Sequence, residues 1–126
     1  MEASTIWVKV AAFRCGNHPA GEVVGCGQIK PHADGSTELA SIVVTPPWQG
    51  QGIARSIIEH LLETHHGDLY LMCQSSLGPL YEKFGFQAIS EGEMPAYFRR
   101  IKHLAKNSEQ YQGFQDISVF VRYVNR

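Results

Sequence analysis

Short β-branched and aromatic runs, separated by turn-forming residues, make up the first third of the chain. Residues 6–13 and 23–30 are two such runs, and a stretch dense in turn formers, 15–21, separates them. A second turn with Asp-Gly at its centre, residues 31–36, leads into a third run at 37–45. This pattern predicts three strands that form an antiparallel meander.

The hydrophobic period changes from that of a strand to that of a helix after Pro46-Pro47. Between Gly52 and His66 the apolar residues form one stripe with a 3.6-residue period, and polar residues take the opposite face. The stripe consists of Ile53, Ala54, Ile57, Ile58, Leu61 and Leu62. The sequence therefore predicts an amphipathic helix over 52–66 with Gly67 as its C-cap. The apolar run 68–73 predicts a buried strand that returns parallel to the third one, as a β-α-β unit.

The remainder of the chain predicts two further helices and two further strands. A short helix is expected at 76–84, with Pro79 in its first turn and Gly85 at its end. A short strand follows at 86–90, then a helix with a basic face at 95–106 and an alternating strand at 117–124. Together these elements predict a single mixed α+β domain over residues 1–126.

Composition narrows the classes of function. The chain has 126 residues, 44% of them apolar, with a net charge of -1, so nothing indicates binding of nucleic acid or of an anionic membrane. Its three cysteines lack C-x-x-C spacing, so we expect free thiols in a reducing compartment and no metal site. No apolar run is long enough for a membrane span, and the acidic Glu2 replaces the basic start of a signal peptide. We expect a cytoplasmic protein.

The turn between the third strand and the first helix reads Gln49-Gly50-Gln51-Gly52-Ile53-Ala54. A glycine turn that opens a helix leaves backbone N–H groups unpaired and directed at one spot, which suits a phosphate ester. A nucleotide-binding P-loop would carry a lysine after its glycines, where this chain has Ile53 and Ala54. The first functional hypothesis is therefore an anion site of another kind.

This hexapeptide resembles the Q/R-x-x-G-x-G/A signature of the GNAT superfamily, the acyl-CoA-dependent N-acyltransferases. The segment Leu80-Tyr81-Glu82-Lys83-Phe84-Gly85-Phe86 is similar to the L-Y-x-K-x-G-F segment of the same family. The two motifs in this order favour membership more strongly than either alone. The resemblance implies a central mixed, mostly antiparallel sheet with flanking helices. It also implies that the two helices that usually precede the meander are missing or shortened here.

For the donor, the resemblance implies a site for acetyl-CoA. Backbone N–H groups from Gln51 to Arg55 would hold the pyrophosphate at the helix N-terminus. The pantetheine arm would form strand-like hydrogen bonds with Ile42 and Val44. A backbone N–H near Val43 or Val44 would polarise the thioester carbonyl. Gln74 stands where the family often has an asparagine that contacts the cofactor.

For the reaction, the resemblance implies direct attack of a primary amine on the thioester in a ternary complex. Tyr81 would be the general acid that protonates the departing thiolate, since a phenol stays protonated at neutral pH. Glu38 is the candidate base, because it lies on the third strand where some members carry a glutamate that deprotonates the amine through water. Two alternatives are that Tyr81 is an amphipathic anchor and that Glu38 is a solvated strand-start residue.

The acceptor and the assembly stay open. The acceptor amine could belong to a small molecule or to a peptide, because specificity resides in the segment that this chain lacks or has replaced. One hypothesis is a homodimer whose partner completes the acceptor pocket, including strand exchange through residues 117–124. The alternative from a different functional class is a catalytically silent CoA-binding module that serves regulation or assembly.

Overall fold

A computed structural model describes residues 9–14, 23–106 and 116–124 of the chain. In chain order its strands and α-helices are β1 Lys9–Arg14, β2 Val23–Pro31, β3 Thr37–Val44, α1 Ile53–Thr64, β4 Leu69–Gln74, α2 Gly78–Glu82, β5 Gln87–Ala88, α3 Ala96–Lys106 and β6 Ile117–Arg122. Within these ranges, three 3-10 turns accompany them, at Pro46–Trp48, Ser75–Leu77 and Glu91–Glu93. This is the mixed α+β composition that the sequence predicted.

The chain divides into two compact units. The first unit comprises the described parts of Met1–Pro31 and Leu39–His66, and the second comprises those of His32–Glu38 and Gly67–Arg126. The strand order in the sheet is β1-β2-β3-β4-β6-β5, so the sixth strand is inserted between the fourth and the fifth. The organisation as a single domain stays a prediction.

In the first unit, the meander supports helix α1. Strands β1 and β2 pair antiparallel, as predicted. Two β2 glycines allow α1 to pack closely, because a Cβ at Gly27 would lie 2.8 Å from a methyl carbon of Ile57 and one at Gly25 would lie 3.0 Å from a methyl carbon of Ile53. The buried face of α1 is the central part of the predicted stripe: Ile53, Ile57, Ile58 and Leu61.

The end of α1 differs from the prediction. The helix stops at Thr64, and His65 follows in extended conformation with φ -102° and ψ 131°, so Gly67 is not its C-cap. The Thr64 hydroxyl is within hydrogen-bond distance of two carbonyls of the last turn, those of His60 at 3.3 Å and Leu61 at 3.2 Å. This local bonding helps to satisfy carbonyls that a glycine C-cap motif would otherwise satisfy.

In the second unit, β4 is the central strand. It pairs antiparallel with β6 from Leu69 opposite Arg122 to Gln74 opposite Ile117. On its other side it pairs parallel with the start of β3, where Glu38 lies opposite Tyr70. The parallel pair predicted from the β-α-β pattern is thereby confirmed. Helix α3 contributes Phe98, which is fully buried in a cluster with Met94 and Val119.

Several boundaries in the second unit are shorter than predicted. The helix expected at 76–84 is a 3-10 turn followed by α2, with Pro79 in its first turn as expected. The helix ends at Glu82, and Gly85, three residues further on, takes φ 91°. Strand β5 has only two residues, Gln87–Ala88, and β6 ends at Arg122.

Two sequence-based predictions concern segments that lie largely outside the described residues. Residues 1–8 and 15–22, where the first turn and any helix before the meander were considered, lie outside the described residues. Among the residues that are described, the first α-helix is α1. Over the same ranges, no helix is long and apolar enough to cross a membrane.

Candidate active site

The turn between β3 and α1 contains two glycines with left-handed backbone. Gly50 has φ 80° and Gly52, the N-cap of α1, has φ 82°. A Cβ at either position would meet no atom within 4 Å, so the requirement for glycine comes from the left-handed backbone and not from a lack of space. These two glycines give Gln49–Ala54 the shape that the motif predicted.

Helix α1 begins at this turn. The N–H of Ser56 donates to the carbonyl of Gly52 at 3.1 Å, which is the first bond of the helical ladder. The N–H groups of Ile53, Ala54 and Arg55 come before that ladder and lie at the positive end of the helix dipole. The Arg55 side chain lies along the helix surface, 3.4 Å from the carboxylate of Glu59. The arrangement can receive a phosphate ester through backbone groups alone.

Gln49 anchors the turn to the end of β3. Its side-chain amide donates to the carbonyl of Val44 at 3.0 Å. The next residue, Thr45, donates its backbone N–H to the carbonyl of Val24 in β2 at 2.8 Å. The turn is therefore tied to two strands of the first unit. Gln49, the first residue of the motif, has a structural role there.

Strand β3 carries an irregularity at Ser41. This residue has φ 57°, in the left-handed region that residues with a Cβ seldom occupy. Its hydroxyl accepts a hydrogen bond from the side-chain amide of Gln28 at 2.8 Å. Beyond it lie the residues expected to contact pantetheine: Ile42 and Val44 are half-buried, and Val43 is 56% exposed. No sequence pattern predicts this kink, because position 41 holds neither glycine nor asparagine.

Glu38 is buried in the second unit, so the alternative of a solvated strand-start residue is wrong. Its Oε1 lies 2.8 Å from Nε2 of His32, and the two side chains are only 11% and 6% exposed. The His32 ring is stacked on Tyr97, with ring centroids 3.6 Å apart. Sequence reasoning missed His32, although a hairpin around the turn at 31–36 brings flanking residues face to face and could have suggested the pair.

Tyr81 lies in α2 with its side chain half-buried. Burial raises the pKa of Tyr81, and the neighbouring Cys73 raises it further. Burial also raises the pKa of the Cys73 thiol, which keeps it neutral. The Tyr81 ring meets the Phe86 ring edge-on at 6.1 Å. Both the hydroxyl and the thiol therefore stay protonated at neutral pH.

Strand β4 lies beside both Glu38, the candidate base, and Tyr81, the candidate acid, within the second unit. Glu38 lies opposite Tyr70, and Cys73, which interacts with Tyr81, is three positions further along the same strand. Three residues of extended chain correspond to about 10 Å. Gln74, the next residue, is exposed at the end of β4. The second unit thus holds the predicted site residues Glu38, Gln74 and Tyr81. The predicted residues from Ile42 to Arg55 lie in the first unit.

The chain belongs to the GNAT family. The family model described as "Acetyltransferase (GNAT) domain" matches residues 2–88. The fold is also that of solved GNAT structures. N-acetylglutamate synthase from Neisseria gonorrhoeae, complexed with coenzyme A and N-acetyl-glutamate, matches with a TM-score of 0.62 and 23% identity over 85% of this chain. This chain spans only 24% of that enzyme's chain.

This chain covers a larger share of two other solved structures. Rv2747 from Mycobacterium tuberculosis, in complex with CoA, has a TM-score of 0.66 and 18% identity, over 92% of this chain and 76% of its own. A GNAT family acetyltransferase from Elizabethkingia anophelis with acetyl-CoA bound has a TM-score of 0.60 and 16% identity, over 93% of this chain and 98% of its own. At these identities the similarity shows a shared fold.

Proposed function

We propose that this protein is an N-acetyltransferase that moves an acetyl group from acetyl-CoA to a primary amine in a ternary complex. The observation that carries the proposal is the β3–α1 turn, where left-handed Gly50 and Gly52 precede three N–H groups at the start of α1. Membership of the GNAT family gives the same class of donor. A backbone cradle of this kind binds pyrophosphate without a basic side chain, which fits the motif's lack of lysine.

The donor is expected to use residues from Ile42 to Arg55 and, in addition, Gln74. The pyrophosphate binds the N–H groups of the motif, from Gln51 to Arg55, while Gln49 holds the turn in place. The peptide-like pantetheine arm pairs with the backbone of Ile42 and Val44 as an added strand would. The Gln74 amide, exposed at the end of β4, supplies a further polar contact.

The reaction needs two proton transfers. The amine nitrogen attacks the thioester carbonyl carbon, whose oxygen is polarised by a backbone N–H near Val43 or Val44. The C–N bond forms, the C–S bond breaks, and Glu38 takes the proton that the nitrogen loses, through a water molecule. Tyr81 donates its hydroxyl proton to the departing thiolate and regains one from solvent. The products are the N-acetylated amine and CoA.

The acceptor is an amine of a small molecule or of a peptide. A second copy of the chain that completes the acceptor side is part of the proposal. It requires a dimer at micromolar concentration, and a monomer with solvated Trp7 would contradict it. Strand β6 lies between β4 and β5, so strand exchange through 117–124 would put the partner's β6 in that position.

The experiment is a thiol-release screen with acetyl-CoA against a panel of primary amines, run beside a heat-shift measurement of CoA binding. A Tyr81→Phe variant should lose about 100-fold or more in kcat and keep its CoA affinity. Equal kcat for both proteins with a verified acceptor would remove Tyr81 from the mechanism. CoA binding without turnover of any amine would instead favour the silent CoA-binding module.

A further inference from the structure

We infer that His32 is a positioning residue for Glu38: its imidazole binds one carboxylate oxygen, Oε1, and so directs the other, Oε2, to the water molecule that carries the proton from the acceptor. The inference rests on the proposed function, because it assigns a partner to the proposed base. His32 lies in the turn between β2 and β3 and outside both family motifs.

The contact itself is short and shielded from water. Nε2 of His32 and Oε1 of Glu38 are 2.8 Å apart, and the side chains are 6% and 11% exposed. A carboxylate so deeply buried requires a hydrogen-bond donor, since an unpaired buried charge is costly. His32 supplies that donor, and the neutral ring does so when its proton is on Nε2.

The His32 ring is itself held on two sides. It is stacked on the Tyr97 ring, with an interplanar angle of 15°, and it meets the Phe98 ring edge-on at 5.8 Å. Its backbone closes the turn, because the N–H of His32 donates to the carbonyl of Ser36 at 2.9 Å. The ring therefore has little freedom to rotate away from Glu38, and Glu38 has little freedom to turn its carboxylate.

Asp34 and Tyr97 are ionisable groups near this pair. Burial raises the pKa of Tyr97 and the charge of Glu38 raises it further, so the stacked phenol stays neutral. Burial alone would raise the pKa of Asp34, but hydrogen bonds from Ser36 and Tyr97 make the net shift downward. The surroundings thus keep Tyr97 from adding a negative charge beside Glu38, while Asp34 is engaged by its own donors.

The kinetic test compares His32→Ala with His32→Gln. Glutamine places an amide N–H donor near the position of Nε2, whereas alanine removes the donor. We expect His32→Ala to lower kcat by about 10-fold to 100-fold, the scale at which small misplacements act. His32→Gln should stay within about threefold of wild type, and the KM for acetyl-CoA should be unchanged in both. The matched control is His60→Ala, at an exposed position of α1.

A double-mutant comparison separates positioning from folding. If His32 acts only through Glu38, then His32→Ala added to Glu38→Gln should cause no further loss of kcat. Additive losses, or equal losses in His32→Ala and His32→Gln, would overturn the inference. A Glu38→Gln variant with wild-type kcat would remove the base from the proposed function and overturn the inference with it.

A measurement that needs no acceptor tests the pair directly. Long-range ¹H–¹⁵N spectra report which ring nitrogen of a histidine carries the proton, and the His32 signals are assigned as those missing in His32→Gln. We expect the Nε2–H tautomer in the wild type and a mixture in Glu38→Ala. The same tautomer distribution in both proteins would overturn the inference even if the enzyme is active. Absence of turnover with every amine would defeat the proposed function and the catalytic role of His32, whichever tautomer is found.

Discussion

Asp34 accepts a hydrogen bond from the backbone N–H of Tyr97 at 2.8 Å, although 63 positions separate the two residues in the chain. The other oxygen of the same carboxylate accepts from the N–H and the hydroxyl of Ser36, at 2.8 Å and 2.6 Å. One side chain therefore closes its own turn and also caps the first turn of α3. This links the turn that carries His32 to the helix whose rings hold it.

Removing this cap should destabilise the protein in a pH-dependent way. We expect Asp34→Ala to lower the free energy of unfolding by about 1 kcal/mol at neutral pH, the usual cost of losing a cap. The net pKa of Asp34 is lowered below 3.8, so its stabilisation is present above that pH and is lost as the pH falls through the folded-state pKa. Urea denaturation of both proteins at several pH values measures the difference.

Asp34→Asn is the control for this prediction, because the amide oxygen keeps one acceptor without the charge. It should retain part of the stability at neutral pH and show a weaker pH dependence. A difference between wild type and Asp34→Ala that stays constant down to pH values well below 3.8 would contradict the cap.

The kink at Ser41 should discriminate between substitutions. A β-branched residue at its φ of 57° is strained, so Ser41→Val should destabilise by about 1–3 kcal/mol. Ser41→Gly relieves the backbone but loses the hydrogen bond from Gln28, so its net effect should be small. Thermal unfolding of the two variants measures the contrast. Equal destabilisation would show that the hydrogen bond, and not the backbone, sets the requirement at this position.

The left-handed N-cap should be sensitive to a single methyl group. Gly52→Ala adds a Cβ in open space at φ 82°, so the expected cost of about 1–2 kcal/mol comes from the backbone alone. Gly92→Ala is the matched control, since that Cβ also meets no atom within 4 Å and Gly92 has no positive φ. Denaturant unfolding should separate the two variants, and a heat-shift assay should show weaker CoA binding for Gly52→Ala. Equal stability of both variants would argue against the described turn.

We expect the Tyr81 hydroxyl to ionise at a pH above the ordinary pKa of tyrosine. Its pKa is raised above 10.0 by burial and by Cys73, and a general acid acts in its protonated form. Activity that depends on Tyr81 should therefore persist to a pH above 10, where folding permits. The difference in ultraviolet absorbance between wild type and Tyr81→Phe, followed as the pH is raised, reports the ionisation of Tyr81 alone.

Cys73→Ala tests the cause of that shift. Without the thiol, the pKa of Tyr81 should move down but stay above 10.0, because burial is the larger contribution. A Tyr81 pKa at or below the ordinary value in the wild type would contradict both causes.

The sequence predicted those parts of the fold that depend on local patterns. The stripe from Ile53 to Leu61 specifies the buried face of α1, and glycines at 50 and 52 specify the turn, because each requirement is set within a few residues. Pro79 was correctly placed in a first turn for the same reason. The C-cap at Gly67 was wrong, since the side chain of Thr64 bonds to the last turn and His65 is already extended.

The parts that escaped prediction depend on tertiary contacts. The burial of Glu38 requires His32 from the preceding turn and rings from α3, and no local pattern joins those segments. The positive φ of Ser41 is likewise supported by Gln28 on the neighbouring strand. Motif recognition therefore named a candidate donor turn and two candidate proton-transfer residues, but it gave no information about what holds the proposed base.

The position of β6 between β4 and β5 has a consequence for how the protein is made. Until residues 117–122 leave the ribosome, one edge of β4 has no partner, and the short β5 has nothing to pair with. Open strand edges are the usual sites of misassembly between nascent chains. The family match ends at residue 88, before β6 begins. A chain cut at that boundary would keep the glycine turn, Glu38 and Tyr81, yet it would lack the strand that closes the second unit.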